Sequence, residues 1–501
     1  MLSILKTYTD GARQLRSSSL FSWLHEQLYV KKLNSPLGYV LLFSICLGLS
    51  YFIVFKGTAF GLAALGAILG IPCLLVSLFN LRFGVSLIVI ISFFLLGVKR
   101  VSNGVPMGLA LDILISVMFF GLFIKQVREK DWSFAKNPVS YMVLIWIVYN
   151  IIEVANPWAS SRIAWFFAVR SIAGLMILYY VILYAINSKE FVTWLIKLWI
   201  ILASLAAFYC LYQEFFGLLP FEMEWLMSDP ERYHLIYQWG RFRKFSFLSD
   251  PTSFGILMAY TSLFCLVIMY GPVSLFKKII LVAVSGAMMM AMVYSGTRTA
   301  FVLIPVGVVF YALLTFNRYV LVFAGFMVMV ALAIMFVPTS NPHIYRMQSA
   351  FRIDKNDSYA TRVRNQAFIQ PYIQSHPMGG GLGSAGVWGK RFSPNSLLAN
   401  FPPDSGYVRI AVELGWIGLF IYCTLLFVTM KVGIKNYFLT KDPLLKTYYA
   451  AFLTLLYVLI VANFPQEAIP QVPTNLMFYV SLAVIVKLKD FDTQTEKIAN
   501  D

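Results

Sequence analysis

The chain is organised as blocks of consecutive apolar residues, each roughly 17 to 25 long, the length that carries a helix across about 30 Å of hydrocarbon. Within a bilayer every backbone amide and carbonyl must be satisfied, and a single segment achieves this only as a helix. Fourteen such blocks can be marked: 36–55, 59–80, 83–98, 107–125, 138–155, 163–185, 191–215, 251–271, 279–295, 299–315, 319–337, 406–430, 446–464 and 473–488. They predict an all-α polytopic membrane protein of about 14 transmembrane helices with two large loops, 216–250 and 338–405. The composition agrees. The chain is 59 % apolar and 13 % charged, against about 45–50 % and about 25 % in soluble domains.

The net charge of +17 then reads as a membrane property rather than as a nucleic-acid footprint. Lys and Arg collect in cytoplasmic loops and meet anionic headgroups. With the amino terminus inside, the cytoplasmic segments collect most Lys and Arg, whereas the short outer loops hold only Lys56, Lys99, Arg100, Arg162 and Arg298. An even number of spans puts both termini in the cytoplasm and both large loops outside. The five cysteines, Cys46, Cys73, Cys210, Cys265 and Cys423, fall inside apolar blocks, so neither disulfides nor a zinc site is expected.

The expected organisation is a cytoplasmic arm (1–35), a first transmembrane bundle (36–215) and the first outer loop (216–250). A second membrane domain (251–430) includes the outer loop 338–405. Two carboxy-terminal segments follow, helices over 431–488 and a cytoplasmic tail over 489–501.

The two large loops are basic, although long loops lie outside the charge rule. Four stretches gather the charge: "GRFRKFSFLSDPTSFG" with Arg241, Arg243 and Lys244; "YSGTRTAF" with Arg298; "SYATRVRNQAFIQPYIQSHPMGGGLGSAG" with Arg362, Arg364 and His376; and "PDSGYVRIAVELGWIGL" with Asp404, Arg409 and Glu413. Arginines clustered at an interface suit a phosphate ligand, because the planar guanidinium makes bidentate charge-assisted hydrogen bonds. Snorkelling to lipid headgroups is the alternative for each loop arginine. Arg170, within the sixth block, is costly in hydrocarbon unless it binds a ligand or an ion-pair partner. His376 is either a catalytic group or a turn residue. The "GGGLG" run lacks a P-loop ending and follows no strand, so it reads as a tight, flexible turn.

In the last stretch, residues 404, 408, 411 and 415 share one helical face, while Arg409 and Glu413 stand four apart, the spacing of an ion pair. Asp404 at the helix mouth is either an N-cap or a general base for a substrate hydroxyl. Trp225, Tyr233, Tyr237 and Trp239 in the first large loop serve either as sugar-stacking platforms or as an interfacial belt.

Three of these stretches, taken in order, resemble the O-antigen ligase and polymerase family, integral-membrane glycosyltransferases of bacterial surface polysaccharide assembly with a GT-C-like, multi-helix architecture. "SGTRTAF" resembles the family's Ser-Gly-x-Arg turn. "TRVRNQAFIQPYIQSHPMGGGLGS" resembles its arginine-bearing helix and glycine turn, with Arg362 rather than Arg364 at the family's arginine. "DSGYVRIAVELGWIGL" resembles its closing Glu-Leu-Gly signature. The resemblance covers roughly residues 240–430.

It implies an enzyme of the bacterial inner membrane with a periplasmic site. The donor would be undecaprenyl-diphosphate-linked oligosaccharide, and transfer would be inverting, metal-independent and without a cofactor. Arg298, Arg362 and Asp404 would be catalytic. Arg170, Arg241, Arg243, Arg364, His376 and Arg409 would bind substrate. Besides membrane lipids, the chain-length regulator and flippase of the same pathway would be partners; nucleic acid would not.

Ligases of the family carry histidine where this chain has Asp404, which favours a polymerase joining repeat units over a ligase acting on a lipid A-core or protein acceptor. A lipid-linked oligosaccharide flippase is the reading from a different class, and Arg170 is the residue that supports it.

Overall fold

The computed structural model describes residues 34–101, 107–238, 240–339, 342–351 and 357–500. Most of the 1–35 arm, Trp239 and parts of loop 338–405 lie outside the described residues. Among the described residues every regular element is helical, apart from a two-stranded antiparallel hairpin of β1 (Tyr237–Gln238) and β2 (Arg241–Phe242). Two compact units divide the chain, Met1–Cys73 and Leu74–Asp501. In the first, helix α1 (Pro36–Lys56) is capped by Ser35, whose hydroxyl accepts from Gly38 N, and α2 (Thr58–Phe79) begins directly after Gly57.

The second unit holds the remaining helices. The long ones before the first loop are α3 (Leu81–Val101), α4 (Met107–Glu129), α5 (Pro138–Ile152), α6 (Arg162–Ala185) and α7 (Lys189–Phe216). Short α8 (Pro220–Met227) and α9 (Pro230–Ile236) build the first loop with the hairpin. Then come α10 (Pro251–Met269), α11 (Leu275–Ser295), α12 (Arg298–Thr315) and α13 (Arg318–Phe336). The second loop folds as α14 (Pro342–Phe351), α15 (Asp357–Ser375) and α16 (Gly386–Phe392). The chain closes with α17 (Gly406–Leu439), α18 (Pro443–Ala462) and α19 (Thr474–Asn500).

Each of the fourteen apolar blocks is helical. Among the described residues, eleven helices are long and apolar enough to cross a membrane. Of the other three, α2 and α13 are apolar helices of 22 and 19 residues, and α19 carries Lys487, Lys489 and Asp490 at the end of its apolar run.

Helix α10 is the axle of this unit, with 83 % of its apolar window buried, packed by α11, α12 and α18. Its start is fixed by "SDPTS". Asp250 accepts from Thr252 N and Ser253 N at 2.8 and 3.0 Å, and Pro251 occupies the first turn, where no amide is needed. Between α11 and α12 the chain reverses in two residues, possible because Gly296 adopts φ +59°. Helix α17 is broken at Gly415, where φ is +67° and ψ −177°.

Candidate active site

The site is organised around the Ser295–Arg298 turn. Thr297 Oγ1 donates to Pro251 O at 2.7 Å, and Ser295 Oγ donates to Thr297 Oγ1 at 3.0 Å. Arg243 clamps the same turn from the first loop: its Nε donates to Ser295 O at 3.0 Å and its Nη2 to Thr297 Oγ1 at 3.2 Å. Arg346 of α14 completes the clamp, with Nε donating to Gly296 O. Arg298 then begins α12 directly from a turn fixed by two other arginines.

These three guanidinium groups, with Arg362 of α15, line one cavity of 740 Å³. Among the described residues that line it there is no Asp or Glu. Burial lowers Arg346 to about 9, and neighbouring Arg243 and Arg298 push it the same way. Arg243 is lowered to about 10, again by burial first, with Asp250 opposing and Arg298 adding. Half-buried positive charge concentrated in this way favours an anionic group beside it. Arg298, Arg362 and Arg243 were expected from the sequence. Arg346 was not: it stands in "HIYRMQS" without a recognisable motif.

The rest of the cavity divides in two. Val302 and Leu303 of α12, Ile460 and Val461 of α18, and Phe464 make an apolar wall. Gln238, Thr252, Thr299, Tyr407 and Gln466 supply neutral polar groups. The site therefore pairs a four-arginine end with a greasy flank.

At the mouth of α17 the sequence expectation of an Arg409–Glu413 pair holds, at 3.2 Å, and a third member joins it: Arg409 Nη1 lies 2.6 Å from Glu467 Oε2. Burial holds the Glu467 carboxyl above the usual carboxylate range, against the lowering effect of Arg409. Gly406 N donates to both Asn463 O and Gln466 O at 3.0 and 3.3 Å, and Tyr407 OH donates to Ile460 O at 2.9 Å. The 463–467 loop is thus stitched to the start of α17. Asp404 is exposed and is not a cap. Ser405 holds the N-cap position because the chain enters the helix one residue later, and no side chain makes the cap bond. Asp404 stands one turn before Tyr407, outside the residues that line the cavity.

The glycine run is not a flexible turn. Gly379, Gly380, Gly381 and Gly383 are buried, and three of them have positive φ. Gly380 N donates to Val412 O at 2.9 Å, Ile417 N donates to Pro377 O at 3.3 Å, and Asn156 Nδ2 donates to Met378 O at 2.9 Å. The run wedges into the break of α17, where a Cβ on Gly379 would lie 2.5 Å from Gly415 N, and on its other side a Cβ on Gly381 would lie 2.6 Å from Ala159 Cβ and one on Gly383 2.8 Å from Ala164 O.

Several expected residues are placed elsewhere. Arg241 and Arg364 are exposed and do not line the cavity. His376 stacks on Tyr372 at 4.0 Å, with Nδ1 2.9 Å from Tyr372 O, which makes it a turn residue. Arg409 is committed to its two carboxylates. Arg170 pairs with Asp112 at 3.1 Å beside a separate 250 Å³ cavity between α4 and α6. Trp225 has its ring covered by Arg100 and Arg232, 4.6 and 4.2 Å from its centre, so it packs the loop instead of presenting a free face.

Residues 281–423 match the family model described as O-antigen ligase. The matched segment holds Arg298, Arg346, Arg362, Asp404 and Arg409, whereas Arg243, Gln238, Gln466 and Glu467 lie outside it. A comparison with curated proteins finds no match to the chain.

Proposed function

From the O-antigen ligase domain that the chain carries at residues 281–423, we propose that this protein is a polymerase joining undecaprenyl-diphosphate-linked oligosaccharide repeat units of a surface polysaccharide. The observation that supports this reading is the single cavity where four arginines meet an apolar wall. A lipid diphosphate has the same two-part chemistry. The reaction belongs on the periplasmic face of the bacterial inner membrane, with both termini cytoplasmic and with the chain-length regulator and flippase as partners.

In the proposed reaction a hydroxyl oxygen of the acceptor sugar attacks the donor's anomeric carbon from the side opposite the phosphate, inverting it. The carbon–oxygen bond to the diphosphate breaks, and its electron pair stays with the leaving group. Arg298, Arg346 and Arg362 neutralise the charge as it develops, an effect that preorganised donors in a water-poor site make large. Arg243 contributes charge while holding the turn. The hydroxyl proton passes to Asp404.

A second reading, ligation of finished glycan to a lipid or protein acceptor, is favoured by the family description itself. Surface glycan from a strain lacking this gene separates the two. A polymerase leaves a single repeat unit on the acceptor with the long ladder gone. A ligase leaves long polymer on the carrier lipid and none on the acceptor, which would overturn the polymerase reading.

A further inference from the structure

The arginines and the apolar wall account for the diphosphate and the lipid of a donor, but they leave part of the cavity unexplained. Two amides face it from segments outside the matched domain: Gln238 on β1 and Gln466 in the loop after α18. Among the described residues neither side chain has a hydrogen-bond partner, and both are half-buried. An uncharged amide adds no charge to the anion site, but it offers two donors and an acceptor, and a phosphate has no use for the acceptor. That set matches a sugar's hydroxyl groups.

Both amides are held on rigid supports. The hairpin that carries Gln238 pairs it with Arg241, and Arg243 N donates to Ile236 O at 2.9 Å, so the strand is tied to the residue that clamps the arginine turn. The Gln466 carbonyl accepts from Gly406 N at 3.3 Å, and the next residue, Glu467, is gripped by Arg409 at 2.6 Å. The backbone of Gln466 is thereby fixed on both sides. Fixed polar groups in a concave site are the usual source of orientation and selectivity for a small ligand, and 740 Å³ sits within the roughly 300–1,000 Å³ of such sites.

We infer that Gln238 and Gln466 are specificity-determining residues that read the hydroxyl pattern of the sugar joined to the diphosphate. This rests on the proposed function, in that the arginines must hold a lipid diphosphate for a sugar to be presented to the amides. A site built to hydrogen-bond a hydroxyl rejects an analogue that lacks or misplaces it, because its own polar groups are then left unpaired.

The test is binding to the purified full chain in nanodiscs. The probes are a polyprenyl diphosphate with no sugar and the same lipid carrying in turn glucose, galactose or N-acetylglucosamine. The wild type is expected to hold one sugar-bearing probe about tenfold or more tighter than the others. Q238A and Q466A should each shrink that preference at least fivefold while holding the bare lipid within about twofold of wild type, which also shows that they are folded. A wild type without preference among the sugars, or variants that keep it, would overturn the assignment and leave the arginine reading standing. Failure of the wild type to hold the bare lipid would instead overturn the proposed function.

Discussion

Arg409 and Glu467, 58 residues apart in sequence, are joined by a 2.6 Å contact between Nη1 and Oε2. The same guanidinium holds Glu413 at 3.2 Å, with Glu413 almost fully buried. Removing the arginine strands two carboxylates. Arg409→Met is expected to cost about 3 kcal/mol of stability. Glu467→Gln, which leaves Glu413 to balance the charge, should cost only about 1 kcal/mol. Thermal unfolding in detergent gives both values, and equal losses would mean that Glu467 carries the pair.

The arginines of the cavity should separate by role. Arg298→Ala, Arg346→Ala and Arg362→Ala are each expected to lower transfer from a lipid-diphosphate donor by about 100-fold or more. Arg346→Ala should also lower the melting temperature, because Arg346 grips the turn at Gly296, whereas Arg362→Ala should leave it unchanged. Transfer assayed in vesicles, beside unfolding curves, checks this. Full activity in Arg362→Ala would remove it from the site.

Affinity for the diphosphate should depend on pH in an unusual range. Arg346 is a base that burial lowers to about 9, so between that value and its ordinary one the unfolded chain holds more protons than the folded chain. The stability cost of charging it is therefore fully present below about pH 9 and is relieved as pH rises. Ligand binding has the opposite sign, since a bound diphosphate keeps the proton on. Once the diphosphate is fully ionised, affinity should fall as pH rises through about 9, by up to about tenfold per unit. Titration calorimetry with polyprenyl diphosphate on either side of pH 9 measures the slope, and Arg346→Gln should flatten it.

Gly415→Ala tests the break in α17. The added methyl would run into the carbonyl of Pro377, in a backbone conformation at φ +67° that L-residues avoid. A loss of about 2 kcal/mol or more is expected, together with loss of the seated glycine run. Limited proteolysis between residues 375 and 390 reports the second effect, which should be absent in Gly108→Ala, where no atom lies within 4 Å.

Asp404 is expected to act as a base and not as a helix cap. Asp404→Asn should therefore reduce transfer far more than Asp404→Glu, with neither changing the melting temperature by more than a degree or two. Equal activity in the two variants would take Asp404 out of the reaction.

Reading the sequence found what depends on local pattern. Uninterrupted apolar blocks give helices wherever they occur, and the Arg409–Glu413 pair follows from a spacing of four. Arg298 stood out because it sits in a tight turn between two apolar blocks, and Arg362 through the resemblance of its helix and glycine turn to the family pattern. Arg346 and Glu467 were missed because their meaning is entirely tertiary: one is defined by the turn at Gly296, the other by a partner 58 residues earlier. The glycine run was misjudged for the same reason. Polar-turn composition suggested mobility, whereas Ala159, Ala164 and the open backbone at Gly415 close around it. Asp404 was displaced from the cap by a single residue of register, which composition cannot resolve.

The ring of Arg243, Arg298, Arg346 and Arg362 bears on what paces the cycle. Before transfer the diphosphate is bridged at both ends, to lipid and to sugar. Afterwards its outer phosphate is free and can take one more negative charge. A cradle with only positive groups grips such a leaving group more tightly than the donor that supplied it. In the proposed reaction the spent carrier is thus the natural inhibitor, competing with the next donor for the same four arginines.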